Sequence, residues 1–148
     1  MNIIVTGGTR GIGEAVVRRL AKDGHAVMFL YKEQIEKAHS MTRVLQAEGC
    51  EVHGIQCDVR DSARVQKIVD YIRDFWGHID VLINCAGISW NGLLQDMLDQ
   101  EWQELFDTNV NGTFYCTRAV LPDMIARHHG VILNISSIWG SHPGACEV

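Results

Sequence analysis

The stretch "TGGTRGIG", Thr6–Gly13, decides how the rest of this chain is read. A short apolar run, Ile3–Val5, leads into it. Beyond it, Ile12, Ala15, Val16 and Leu20 recur at helical spacing, and Gly24 is a stop signal. A strand that turns through glycines into a helix is a context with a mechanism. Gly7 permits a tight turn, Gly11 lets the backbone approach a pyrophosphate, and Gly13 lets the helix pack closely on the sheet. The free amides and positive end of that helix then face the phosphates.

The pattern repeats outward from this turn. "AVMFLY" (Ala26–Tyr31) reads as a second buried strand, and Ile35, Ala38, Met41 and Leu45 trace a helix that stops at Gly49. "EVHGIQCDV" (Glu51–Val59) is a third strand. Asp61 can cap a helix carrying Val65, Ile68, Val69, Ile72 and Phe75, stopped at Gly77. "IDVLINC" (Ile79–Cys85) is continuously apolar, as in a strand buried on both faces. A loop is expected over Gly87–Leu98. A long helical pattern then runs from Asp99 to Gly130, with Pro122 as a kink or break. "VILNIS" (Val131–Ser136) is a fifth strand. Strands alternating with helices predict an α/β fold: a Rossmann-type, doubly wound parallel sheet with helices on both faces. Ligands of such sheets bind outside the carboxyl ends of the strands.

Composition narrows the class. The chain of 148 residues fits a single domain, is 47% hydrophobic and 21% charged, and has a net charge of −5 with no block of like charges. That argues against nucleic acid and membrane surfaces as partners. No apolar stretch is long enough to span a bilayer, and "MNIIVTGG" lacks the basic opening of a signal peptide. Cys50, Cys57, Cys85, Cys116 and Cys146 are scattered, with no C-x-x-C, which suits reduced thiols in the cytoplasm. His128 and His129 are expected on the last turn of a helix rather than on a metal, so no metal site is predicted.

The end of the second strand bears on which dinucleotide would be held. An acidic residue there bonds the ribose 2′-hydroxyl of NAD and repels a 2′-phosphate. Here the strand ends in Tyr31-Lys32, the acid Glu33 comes one residue later, and Arg10 lies inside the glycine turn. The two cations favour NADP(H), with NAD(H) as the alternative. Asp58 stands where a carboxylate accepts from an adenine amino group while the Val59 backbone frames the ring. A plain turn or capping Asp is the competing reading.

"TGGTRGIG", "CDV", "NCAG" (Asn84–Gly87) and "NISS" (Asn134–Ser137) together resemble the short-chain dehydrogenase/reductase family, in particular its 3-oxoacyl-reductase-like members of fatty acid biosynthesis. The resemblance implies that Gly7, Thr9, Arg10, Gly11, Ile12 and Gly13 form the cofactor turn, joined by Tyr31 and Lys32. It places Asp58 and Val59 at the adenine, and Asn84, Ala86 and Gly87 beside the ribose. Cys85 replaces an asparagine found in many relatives, which puts a sheet-stabilising hydrogen bond in question. Asn109 matches the active-site asparagine that supports a lysine through a water, with Asn111 as its neighbour and competitor. Ser137, rather than Ser136, matches the serine that polarises a substrate carbonyl. Trp90, Met97, Trp139 and His142 are candidates for a substrate pocket or for plain loop packing.

The acid/base Tyr-x-x-x-Lys motif implied by the resemblance would begin near position ~150 by family spacing, beyond Val148, and none of Tyr31, Tyr71 and Tyr115 has a lysine four residues on. The chain is therefore expected to be the N-terminal part of a longer sheet, with further strands missing and an exposed apolar fifth strand. The implied activity is NADP(H)-dependent interconversion of a carbonyl and a secondary alcohol, on a small molecule or an acyl-carrier-bound substrate. It would take place in a homo-oligomer when full length, and the 148-residue chain alone would be inactive. The rival reading is a catalytically dead nucleotide-binding module, or a fragment acting through a partner.

Overall fold

Alternate residues of each strand serve opposite faces of one sheet, and this alternation sorts the apolar residues into two cores. In β1 (Asn2–Thr6), Ile3 and Val5 face one side and Ile4 the other. In β2 (Ala26–Tyr31), Val27, Phe29 and Tyr31 oppose Met28 and Leu30. The first side is covered by α1 (Gly11–Lys22) and α2 (Ile35–Ala47), which contribute Val17, Ala21, Ala38, Met41 and Leu45. The second is covered by α3 (Ser62–Trp76) and α5 (Gly112–Ala126), through Val65, Ile68, Val69, Ile72 and Val120. The computed structural model describes residues 1–140 and 142. Cys146 lies outside the described residues.

The sheet is parallel throughout, in the order β3-β2-β1-β4-β5, with β3 at Val52–Gln56, β4 at Val81–Asn84 and β5 at Val131–Asn134. The doubly wound architecture expected from the sequence is present. From β1 the chain winds outward through β2 and β3, then returns to place β4 on the other side of β1. The switch point therefore lies between the carboxyl ends of β1 and β4.

The turns follow the expected chemistry in α3, where Asp61 accepts a hydrogen bond from the Arg64 amide (2.9 Å) and Gly77 ends the helix at φ 80°. Three expectations are corrected. The third, fourth and fifth strands are shorter than their apolar runs, because the chain turns away at Cys57, Cys85 and Ile135 once parallel partners end. The long pattern after Asp99 is not one regular helix. α4 (Asp99–Phe106) passes through a π-helical segment, Asp107–Asn111, into α5, and α5 continues through Pro122 without a break. Finally, α5 ends at Ala126. His128 lies past the helix end in the left-handed region (φ 52°), which histidine enters more readily than most residues. Neither histidine is on the last helical turn.

At the amino ends of the strands, Asp80 is a buried hub. It accepts from the Asn2 amide (2.9 Å) and faces His78 Nε2 (3.4 Å) and Arg127 Nη1 (3.5 Å). Arg127 also holds Asp123 (3.1 Å), whose other contact is the Ile79 amide (3.2 Å). This end locks β1, β4 and α5 together. The opposite end is open.

Candidate functional site

The opening at the carboxyl ends is a cavity of about 510 Å³, within the size range of small-molecule sites. Its floor is the glycine turn, where Gly7, Thr9, Arg10, Gly11, Ile12 and Gly13 all line it. The turn must be glycine at two points. A Cβ on Gly13 would lie 2.2 Å from the Gly7 carbonyl oxygen, and one on Gly7, at φ 70°, would lie 2.8 Å from Ala86 Cα. At Gly11 the φ is 51° and nothing stands within 4 Å of a built Cβ, so backbone faces open space there. Arg10, the residue before α1, is extended and gives the helix no side-chain cap. The first amides of α1 therefore point into the cavity without a protein acceptor, a ready anion site. Glu14 does not cancel this positive end. Its carboxylate is held by Lys37 (2.6 Å) and Arg18 (3.0 Å), and the Lys37 hydrogen bond leads in keeping its pKa below the usual value.

One wall comes from the ends of β2 and β3, where Tyr31, Lys32, Asp58 and Val59 line the cavity. Lys32 Nζ is 3.2 Å from Glu33 and 4.0 Å from Asp58. Asp58 is a turn residue, its Oδ1 accepting from the Arg60 amide two positions on (3.0 Å), and it also carries the Arg60 guanidinium. The Arg60 side chain is the main cause of the lowered Asp58 pKa. The other wall is the loop after β4. Ala86 and Gly87 line it with Cys85 and Ile88, and Arg10 Nη2 reaches across to the Gly87 carbonyl (3.3 Å). Burial pushes the Cys85 thiol pKa up.

Asn84, Asn109 and Ser137 are not in the cavity lining. Asn84 is buried, and its Nδ2 donates to Asn134 Oδ1 (2.9 Å) on β5 and to Thr117 Oγ1 (3.2 Å) on α5. This side-chain bond joins the adjacent strands β4 and β5. Asn109 sits in the π-helical segment and clasps the backbone of Ile88 from both sides, Nδ2 donating to the carbonyl and Oδ1 accepting from the amide, each at 2.9 Å. One Nδ2 hydrogen and one Oδ1 lone pair remain for other partners. Asn111 instead donates to Asp107 on its own helix (2.8 Å). Ser137 follows β5, and its Oγ accepts from the Trp139 amide (3.2 Å), which leaves the hydroxyl hydrogen to donate elsewhere. Trp90, Met97, Trp139 and His142 do not line the cavity, and among the described residues no cluster suits a metal ion.

Sequence reading missed Thr6, which is fully buried and accepts from the Cys85 and Ala86 amides, both at 3.0 Å. It ties the glycine turn to the β4 loop across the switch point. Its signal was a hydroxyl residue closing an otherwise apolar strand. Glu104 and Thr108 of the α4 region also line the cavity, and nothing in their spacing marked them.

Comparison with known proteins agrees with this geometry. The family model described as short chain dehydrogenase matches residues 1–148. A 3-oxoacyl-acyl-carrier-protein reductase of Staphylococcus aureus is 36% identical over 95% of this chain and 58% of its own length. Among solved structures, a variant of actinorhodin polyketide ketoreductase with NADPH superposes with a TM-score of 0.91 at 33% identity, covering 97% of this chain and 56% of that one. A metagenomic short-chain oxidoreductase in complex with NADP gives 0.91 at 35% identity, covering 97% and 66%. The chain thus spans about three fifths of the length of the curated relative it matches. On fold, switch-point site and family model together, the chain belongs to the short-chain dehydrogenase family.

Proposed function

We propose that this chain supplies the cofactor-binding part of an NADP(H)-dependent oxidoreductase that interconverts a carbonyl and a secondary alcohol, with a 3-oxoacyl group, free or carrier-bound, as the substrate class. The observation that carries the reading is the glycine cradle, in which a Gly13 side chain has no room and uncapped α1 amides face the cavity. Those amides would hold the pyrophosphate, with Thr9 and Ile12 beside it. Arg10 and Lys32 would take the 2′-phosphate once they leave Gly87 and Glu33. Asp58 and the Val59 backbone would hold the adenine, and Ala86 and Gly87 the ribose. When bound, the cofactor supplies hydride chemistry at the carbonyl carbon. Ser137 would donate its free hydroxyl hydrogen to the carbonyl oxygen, and Asn109 would fix the Ile88 backbone and retain capacity for a water. None of Tyr31, Tyr71 and Tyr115 has a lysine four residues on, and we assign the 148-residue chain by itself binding without turnover.

Two further parts of the proposal rest on surface and compartment. The exposed Trp102, Phe106, Phe114 and Ile125 along α4 and α5 support a homo-oligomer, and the buried, unpaired Cys57 and Cys116 support a cytoplasmic setting. The test is a fluorescence titration with NADPH and NADH. NADPH is expected to bind at least roughly tenfold more tightly, and acetoacetyl thioesters to cause no NADPH oxidation. Equal affinities would remove the cofactor preference, no binding of either would overturn the function, and turnover by the pure 148-residue chain would overturn the assignment of binding alone.

A further inference from the structure

We infer that Arg60, which lies outside the cavity, is the positioning residue that aims Asp58 at an adenine amino group; the inference rests on the cofactor reading above. A carboxylate free to rotate would offer about four lone-pair sites in shifting directions. Here the Arg60 amide occupies Oδ1 at 3.0 Å. The guanidinium closes on both oxygens, Nε at 3.0 Å from each and Nη2 at 2.6 Å from Oδ2. The single Nε hydrogen is shared between the two oxygens, so three hydrogens engage the carboxylate and about one lone pair remains; Lys32 Nζ, at 4.0 Å, is too distant to take it. Asp58 is thereby a single-acceptor group with a fixed direction, and its charge is already matched.

Arg60 is itself held. Its Nη1 donates to Glu104 Oε1 at 3.0 Å, and Glu104 itself lines the cavity. The neighbouring Val59 packs against Gly112, where a Cβ would come within 2.6 Å of Val59 Cγ2. Residues 58–60 are therefore tethered at two points to the helix formed by α4, the π-helical segment and α5. A fork held at both ends preserves direction in a way that a lysine, with its single rotatable ammonium, does not.

The contact is tested by removing the adenine amino hydrogens instead of the protein's. The affinities of the purified protein for NADP+ and for its 1,N6-ethenoadenine analogue, which has no amino group to donate, are measured by calorimetry for wild type, Arg60→Gln and Arg60→Lys. Wild type is expected to prefer NADP+ by roughly fivefold or more, the effect of one oriented hydrogen bond to a charged acceptor. Arg60→Gln is expected to bring that ratio below about twofold, with Arg60→Lys in between. An unchanged ratio in Arg60→Gln overturns the inference, as does a parallel loss for both ligands, which would mark a merely structural role. Wild type binding both ligands equally would also overturn it while leaving the cofactor reading intact. Wild type binding neither would overturn the cofactor reading and this inference with it.

Discussion

Thr6 places one hydroxyl oxygen between two backbone amides of the loop after β4, so its loss is felt on both sides of the switch point. Thr6→Val keeps the shape and removes the acceptor. The Cys85 and Ala86 amides would then lose their partner, at a cost of about 1–3 kcal/mol. Urea denaturation should show that loss for valine and a much smaller one for Thr6→Ser; equal stability of valine and wild type would sink the assignment. Gly13→Ala acts differently. Its Cβ collides with a backbone oxygen that cannot swing aside, so destabilisation of about 2 kcal/mol or more is expected together with loss of NADPH binding. Gly11→Ala, in open space, should cost only about 1 kcal/mol through its positive φ. A reversed order of the two glycine variants would contradict the cradle. These glycines were legible because their spacing states a backbone requirement. Thr6 and the Arg60–Glu104 tether were not, because their partners lie 79 and 44 residues away in sequence and only the fold brings them close.

The element that departs most from expectation is the helix through Asp99–Ala126. Periodicity along it reads as continuous, and the backbone stays helical throughout, yet Asp107–Asn111 is wound as a π-turn. Such turns tend to mark functional sites, and this one places Asn109 against the Ile88 backbone. The Thr113 hydroxyl donates back to the Asn109 carbonyl at 2.9 Å. Asn109→Leu should release the Ile88 amide without unfolding the helix. Hydrogen exchange at Ile88 is expected to quicken by roughly tenfold or more, with the α5 amides unchanged; no change at Ile88 would mean that the clasp does not hold the loop. Periodicity cannot foresee a π-turn, since one inserted residue shifts the apolar stripe by less than the stripe's own width. The strands were legible in type and order. Their ends were not, because the apolar runs continue past the point where a neighbouring strand offers partners. The apolar but exposed fifth strand expected from the sequence is present: Val131 and Leu133 are each 48% exposed where only β4 pairs with it.

At the scale of the molecule, the two ends of the sheet divide labour. The amino ends are closed by charge around Asp80, and the carboxyl ends stay open around the glycine turn. Charge at both ends makes stability depend on pH with a definite sign. Burial alone would raise the Asp80 pKa, but the Asn2 amide, His78, Arg127 and the amino terminus together bring it below the usual value. Asp58 is lowered chiefly by Arg60, and Glu14 chiefly by Lys37. All three are acids that ionise more easily folded than unfolded. Their contribution is fully present above the unfolded values of about 3.9 for Asp and 4.3 for Glu, and is lost as pH falls through the lower folded values. The urea midpoint should therefore fall progressively below about pH 4.3. Asp80→Asn should weaken the protein at neutral pH and flatten that acid slope, because the hub no longer titrates. Asp58→Asn should flatten it too, and should weaken NADPH binding, which Asp80→Asn leaves intact. A wild-type midpoint that rises on acidification would show that these carboxylates are not held in the ionised state, and Asp80→Asn weakening NADPH as much as Asp58→Asn would show that the closed and open ends are not separate.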